Sequence, residues 1–160
     1  HLRCGMTLAE RSLDMDDNAF PLRQRPSWDD IFARMARIVA ERSSCQRMQV
    51  GCVVVSRDYQ RVLAFGYNGN YAGGPNQCDD PRTPGQCQCI HAEVNALLKC
   101  DNSIKDKIVY TTHSPCVMCA KAIVNSGASA VVYLEGYRSL DGVEILRKGG
   151  IHCVDWSAAE

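Results

Sequence analysis

Apolar and polar positions along this chain change period several times, and each change marks an element. From Ser27 the spacing is helical. Ile31, Met35, Ile38 and Val39 recur on one face, behind an N-cap serine with Asp30 three residues on, an approximate capping box. This helix is expected to end near Arg42-Ser43-Ser44. Val50-Gly51-Cys52-Val53-Val54-Val55 is then β-branched and mostly apolar, as a buried strand is. After a turn at Ser56-Arg57-Asp58, Arg61-Val62-Leu63-Ala64-Phe65-Gly66 is expected to pair with it as an antiparallel hairpin. From His91 helix and strand alternate. A helix over 91–100 carries Ala92, Val94, Ala96, Leu97 and Leu98, and a strand covers 108–112. A second helix begins at Cys116, carries Ala120, Ala122, Ile123 and Val124, and stops at Gly127. A strand over 130–134, a helix over 140–148 and a strand over 151–154 complete the pattern. Such alternation predicts an α/β domain with a mixed sheet covered by helices.

Two stretches escape the pattern. Residues 1–26 are polar and broken by Pro21 and Pro26. They read as an N-terminal arm, flexible or docked on a neighbouring subunit, ahead of a domain spanning 27–160. The chain opens on His1, so the arm begins with a tag scar or a cut end, and Met6 and Met15 are alternative starts. Residues 66–90 form an irregular stretch that holds Cys78, Cys87 and Cys89. A loop this long in a compact domain is functional or tied down, and the thiols are candidates for the tie.

Composition narrows the classes. A chain of 160 residues suffices for one domain with a sizeable core. No apolar run reaches the length of a membrane span, and no secretory leader is visible. Lysine plus arginine and aspartate plus glutamate both number 18, which argues against a protein that grips a long phosphate backbone. One phosphate needs only one or two cations. Ten cysteines in a secreted chain would mean disulfides. Here several stand at metal-ligand spacings, and zinc thiolates need reducing conditions, so a cytoplasmic protein is expected (in the host cytoplasm if phage-encoded).

The chemistry concentrates between His91 and Cys119. His91-Ala92-Glu93 and Pro115-Cys116-Val117-Met118-Cys119 supply one imidazole, two thiols at i and i+3, and a carboxylate. Three side chains that hold zinc leave a fourth position for water, and a carboxylate that is not a ligand moves protons. H-x-E followed by P-C-x-x-C is the signature of zinc-dependent nucleobase deaminases. Helix N-termini would favour the thiolates, and Pro115 suits the turn into the helix. His91, Cys116 and Cys119 are therefore the expected ligands of a catalytic Zn2+, and Glu93 the proton shuttle. The expected reaction is attack of a zinc-bound hydroxide on an amidine-like ring carbon, with release of ammonia. The alternatives are a structural zinc site without catalysis, or a buried histidine beside unmetallated cysteines.

The resemblance goes further than the signature. Ser44-Cys45 running into Val50-Gly51, Gly66-Tyr67-Asn68-Gly69, Ala72-Gly73-Gly74, Cys78-Asp79, His91-Ala92-Glu93-Val94-Asn95-Ala96 and Ser114-Pro115-Cys116-Val117-Met118-Cys119-Ala120-Lys121-Ala122-Ile123 resemble the deoxycytidylate (dCMP) deaminase family, in its bacterial or bacteriophage form, over about residues 42–151. The resemblance implies a cytidine-deaminase-like three-layer fold with a central five-stranded sheet. It implies deamination of dCMP to dUMP, by attack at C4 of cytosine. It places Asn68 on the nucleotide sugar and Arg42 and Tyr137 on the phosphate, with Ala92 also at the substrate and Arg138 able to add charge. Read without the resemblance, Asn68 is a left-handed turn residue, Arg42 a solvated helix-end arginine and Tyr137 a packing residue.

The resemblance also implies a second, structural zinc at Cys45 and Cys78, for which Cys87 and Cys89 are the available completion. Free thiols in a loop held by packing are the alternative. Cys52, Cys100 and Cys153 are read as small core residues. Homo-oligomers, commonly hexamers, and regulation by dCTP and dTTP through the Gly66–Gly74 loop are implied in the same way. Three rival readings stay open: a deaminase of another nucleotide, nucleoside or base; a deaminase of RNA, disfavoured by the zero net charge; and a zinc-stabilised nucleotide-binding module without turnover.

Overall fold

A computed structural model of the chain describes residues 21–158. Five strands form one sheet: β1 (Gly51–Val55), β2 (Val62–Tyr67), β3 (Lys107–His113), β4 (Ala128–Glu135) and β5 (His152–Asp155), in the order β2-β1-β3-β4-β5. The β1–β2 and β1–β3 pairs are antiparallel, and β3–β4 and β4–β5 are parallel. The mixed sheet and the hairpin are those the hydrophobic pattern predicts. Four helices cover it: α1 (Trp28–Ala40), α2 (Ala92–Lys99), α3 (Val117–Asn125) and α4 (Asp141–Lys148). Part of the expected arm, residues 1–20, lies outside the described residues, as does Cys4. Among the described residues no helix is long and apolar enough to cross a membrane.

The sheet separates two cores. On one face α1 packs Phe32 and Ala36 against Val53, Val55, Ile108, Tyr110 and Val132. On the other, Ala92 and Ala96 of α2, Ile123 of α3 and Leu146 of α4 meet Cys52, Val54, Val109 and Val131. Adjacent strand residues serve opposite cores, as the pleat requires. Cys52 and Cys100 are buried core residues as expected, and Cys153 is half-buried at the rim of the same core. Lys107 is fully buried with its ammonium donating to the Ile104 carbonyl at 2.7 Å, the Asn102 side chain at 3.3 Å and Ser126 O at the end of α3.

The capping box is complete. Ser27 Oγ accepts from Asp30 N, and the Asp30 carboxylate accepts from Ser27 N, each at 3.0 Å. Such a cap contributes about 1 kcal/mol. The apolar stripe of α1 differs from the sequence expectation. Phe32, Ala33, Ala36 and Ala40 are buried, whereas Ile38 is 64 % exposed and Ile31, Met35 and Val39 are only partly covered. The cause is backbone contact. A Cβ on Gly51 would stand 2.0 Å from the Ala36 carbonyl oxygen, so the helix turns its alanines to the sheet. Gly66 does the same on the opposite face, where a Cβ would meet Ala92 O at 2.4 Å and Ala96 N at 2.5 Å. That approach brings α2 down by its first turn, the turn that starts at His91. It also buries Ala96 and Leu97 while leaving Leu98 exposed.

Candidate active site and thiol clusters

Two helix N-termini converge on the first cluster. His91 is the N-cap of α2 and Cys116 the N-cap of α3. Cys116 thus precedes the first turn, and Pro115 lies outside the helix, not at its first position. Cys119 stands at the third helical position, and its N–H points at Cys116 Sγ from 3.5 Å. The C-x-x-C spacing is therefore also a capping spacing, with sulfur in the place that serine or aspartate oxygen usually takes. A Cβ on Gly142 of α4 would fall 1.9 Å from Pro115 O, so α4 seats directly on the turn that carries Cys116.

His91 Nδ1 lies 3.5 Å from Cys116 Sγ and 3.3 Å from Cys119 Sγ. The three ligand atoms fall within 4.8 Å of one another. A tetrahedral zinc with ordinary Zn–N and Zn–S bonds sets N···S edges of about 3.6 Å and S···S edges of about 3.8 Å. The triangle fits that ion with one position left over. Hydrogen bonds from Cys119 and His91 hold the Cys116 thiol down at about 3. The same hydrogen bond with Cys116, and burial, push Cys119 well up, while the Cys116 contact raises His91. Metal binding at these three groups displaces the protons they carry. Glu93, in the first turn of α2, is buried at 4 % exposure, and burial raises its carboxyl above the usual range despite the opposing His91 charge. A carboxyl of raised pKa beside an open metal position is suited to carrying a proton.

His91, Glu93 and Cys116 line a cleft of about 410 Å³, with Cys119 buried behind them. Asn68 enters it from the end of β2, Arg47 and Met48 from the segment before β1, His113 and Ser114 from the end of β3, and Tyr137 and Arg138 from the loop after β4. The Arg138 guanidinium stands 5.7 Å from the Tyr137 ring centroid, and Tyr137 N donates to Ser114 Oγ at 2.7 Å. Arg42 is elsewhere. It lines a neighbouring cavity of about 430 Å³ with Ser43, Tyr67, Asn70 and Tyr71. Ala92 is fully buried and absent from the cleft wall. Arg47, which the sequence reading passed over, joins Arg138 as a cation in the cleft wall. Its available signal was position: it stands two residues after Cys45, in a turn that a metal ligand would fix.

Asn68 is not a left-handed turn residue, since the described non-glycine residues of positive φ are Tyr59, Gln88 and Asp106. Its side chain is a brace. Oδ1 accepts from Val50 N at 2.8 Å and Ser43 Oγ at 2.6 Å, and Nδ2 donates to the Met48 carbonyl at 2.7 Å.

The second cluster is built from loops. Cys78 Sγ lies 3.5 Å from Cys45 Sγ and 3.6 Å from Cys89 Sγ. The ligand atoms of Cys45, Cys87 and Cys89 also lie within 4.8 Å of one another. All four are free cysteines at separations far above the ~2.05 Å of a disulfide. The Cys78–Cys45 and Cys78–Cys89 separations stand near the edge length of a zinc tetrahedron, while Cys87 is placed only within 4.8 Å of Cys45 and Cys89. Burial opposes ionisation of Cys45, but the N–H groups of Met48 and Arg47 overcome it and lower that thiol. Gln88 turns between Cys87 and Cys89 at φ 53°. Cys45, Cys87 and Cys89 belong to the wall of the same cleft as His91 and Glu93.

The fold agrees with the comparisons. Residues 26–135 match the model of the cytidine and deoxycytidylate deaminase zinc-binding region. The chain belongs to that family of zinc-binding deaminases. Within it, the chain is 37 % identical to deoxycytidylate deaminase of Saccharomyces cerevisiae, over 98 % of this chain and 53 % of that protein. It is 40 % identical to deoxycytidylate deaminase of Mycobacterium phage D29, over 68 % of this chain and 95 % of the relative. The crystal structure of dCMP deaminase from the cyanophage S-TIM5 in complex with dCMP and dUMP superposes with a TM-score of 0.73 at 33 % identity, covering 83 % of this chain and 99 % of that one. The chain spans about half the length of the yeast relative and 64 % of ComE operon protein 2 of Bacillus subtilis, a further relative at 38 % identity.

Proposed function

We propose that this protein hydrolyses dCMP to dUMP and ammonia. The observation that carries the reading is the cleft itself: a His91–Cys116–Cys119 triangle of zinc dimensions, a buried Glu93 beside it, and Arg47 and Arg138 in the same wall. His91, Cys116 and Cys119 would hold the metal. Zinc bound there supplies the Lewis acidity that lets a water ionise near neutral pH. Glu93 takes a proton from the attacking water, passes it to N3 of the ring, and then protonates the amine leaving C4. The C4–N bond breaks and C4 gains the carbonyl oxygen, so water and dCMP give dUMP and ammonia. Asn68 meets the sugar. Arg47 and Arg138 meet the phosphate, with Tyr137 beside them, in place of the Arg42 of the sequence reading. One 5′-phosphate needs no more charge than that.

In the same reading Cys45, Cys78, Cys87 and Cys89 hold a second, structural zinc. The support is their number and their sulfur spacing, since four protein ligands make a closed site. Binding of dCTP or dTTP is assigned to the neighbouring cavity, where Arg42 stands over the Gly69–Gly74 loop. Homo-oligomer formation is supported by the exposed apolar side chains of Leu98 and Met118 on α2 and α3. A panel of dCMP, deoxycytidine, dCTP and guanine, run with and without dCTP as effector, tests the substrate. Turnover of dCMP well above the others is the expected result. Consumption of another substrate with dCMP untouched would sink the proposal.

A further inference from the structure

We infer that Ser43 is a positioning residue: its hydroxyl fixes the Asn68 amide so that the cleft is offered one N–H donor and no acceptor. The inference rests on the reading of the cleft as a deoxynucleotide site.

The orientation of Asn68 follows from its partners. Val50 N–H can only donate and the Met48 carbonyl can only accept, so Oδ1 must face the first and Nδ2 the second. Ser43 completes the arrangement. Its Oγ lies 2.6 Å from Asn68 Oδ1 and 2.7 Å from Asn68 O, and it accepts from Cys45 N at 3.1 Å. With a lone pair engaged by Cys45, the single hydroxyl hydrogen is directed at the two Asn68 oxygens. Oδ1 then accepts from Val50 N–H and shares the Ser43 hydroxyl hydrogen with Asn68 O, so that both of its sides are engaged by protein. Nδ2 keeps its second hydrogen. Asn68 is buried yet lines the cleft, so that hydrogen is the polar feature its side chain can offer there.

A 2′-deoxynucleoside 5′-monophosphate carries one sugar hydroxyl, at the 3′ position. Facing this amide, the hydroxyl must accept from Asn68 and donate its own proton elsewhere. Without Ser43, Oδ1 has an empty lone pair and competes for the hydroxyl proton, and the amide is aligned by the Met48 and Val50 contacts alone. Ser43 never touches the substrate. It lines the neighbouring cavity and acts on the cleft through Asn68.

The test compares dCMP with 2′,3′-dideoxycytidine 5′-monophosphate, which lacks that hydroxyl. Ser43→Ala is expected to lower kcat/KM for dCMP about tenfold, mostly through KM, the size of one well-placed hydrogen bond. For the dideoxy substrate the change should stay within about twofold. Asn68→Ala should show the same selectivity, and the double variant should add nothing to Asn68→Ala. Metal content and Tm report any general loosening around Cys45. If Ser43→Ala prevents folding, Ser43→Thr and Ser43→Val, equal in shape and differing by the hydroxyl, give the same comparison, with Thr expected to behave as wild type. If Asn68→Ala affects both substrates equally, the reading of the sugar site fails and this inference with it. If Asn68→Ala is selective while Ser43→Ala has no effect, or weakens both substrates alike, the role of Ser43 alone is overturned.

Discussion

The two thiol clusters share a cleft wall but are made differently. His91, Cys116 and Cys119 sit on the first residues of two helices, α2 pressed to the sheet by backbone contact at Gly66 and α3 held at its start by Gly142 of α4. Cys45, Cys78, Cys87 and Cys89 sit in irregular chain, joined by a few hydrogen bonds such as Gln46 N to Cys78 Sγ at 3.3 Å and Asp79 N to Cys87 O at 3.1 Å. The first cluster has three ligands and a buried carboxyl next to them, the makings of an open site. The second has four thiols, the makings of a closed one. The frame makes the first cluster, whereas the second would make its own frame once metal is bound. Reactivity is thereby put where the backbone is fixed, and adjustable chain is left to border it.

Substitutions can separate the two. The largest effect is expected at the first cluster. Glu93→Gln should cut kcat by about 10²–10⁴-fold while zinc content stays unchanged, measured by steady-state rates and metal analysis. Normal turnover by that variant would remove Glu93 from the reaction. Next comes Arg47, in the cleft wall with three of the loop thiols. Arg47→Ala should raise KM for dCMP roughly tenfold to hundredfold, the range of a charge-assisted hydrogen bond, and leave kcat nearly intact. Arg42→Ala, one cavity away, should leave the KM near wild type, and the reverse ranking would return the phosphate to Arg42. The smallest effect on chemistry belongs to the second cluster itself. Cys87→Ser should lower bound zinc from about two per chain towards one and lower Tm, with kcat changing by less than about tenfold. One zinc per chain in the intact protein would show that the loop thiols hold none.

Much of the frame was legible in the sequence. Ser27 and Asp30 announced the start of α1, the β-branched run announced β1, and His91-Ala92-Glu93 with Cys116 and Cys119 announced the chemistry, because each is a local pattern with a local physical cause. What could not be read depended on contacts across the fold. The rotation of α1 by its alanine stripe follows from Gly51, which stands eleven residues past Ala40 and on another element. Arg42 and Arg47 are both arginines beside the same serines and cysteine, and only the path of the chain after Ala40 decides which one faces the cleft. The side-chain amide of Asn68 is held by three partners at sequence separations of 18 to 25 residues, which no local pattern announces.

The short arc between Cys78 and Cys87 bears on how this protein can acquire additional parts. Its base is closed by Asp79 N to Cys87 O, and the stretch from Arg82 to Gly85 is exposed. Asp80 caps the turn there, accepting from Arg82 N at 2.9 Å and Thr83 N at 3.1 Å. Apart from Gly85, which borders the cleft, this tip lies outside both cores and the cleft wall. Lengthening a loop whose ends are already held costs little, about 0.6 kcal/mol for each doubling. The closed base thus acts as a hem: chain can be gathered above it while both cores and the His91–Cys116–Cys119 cluster keep their shape.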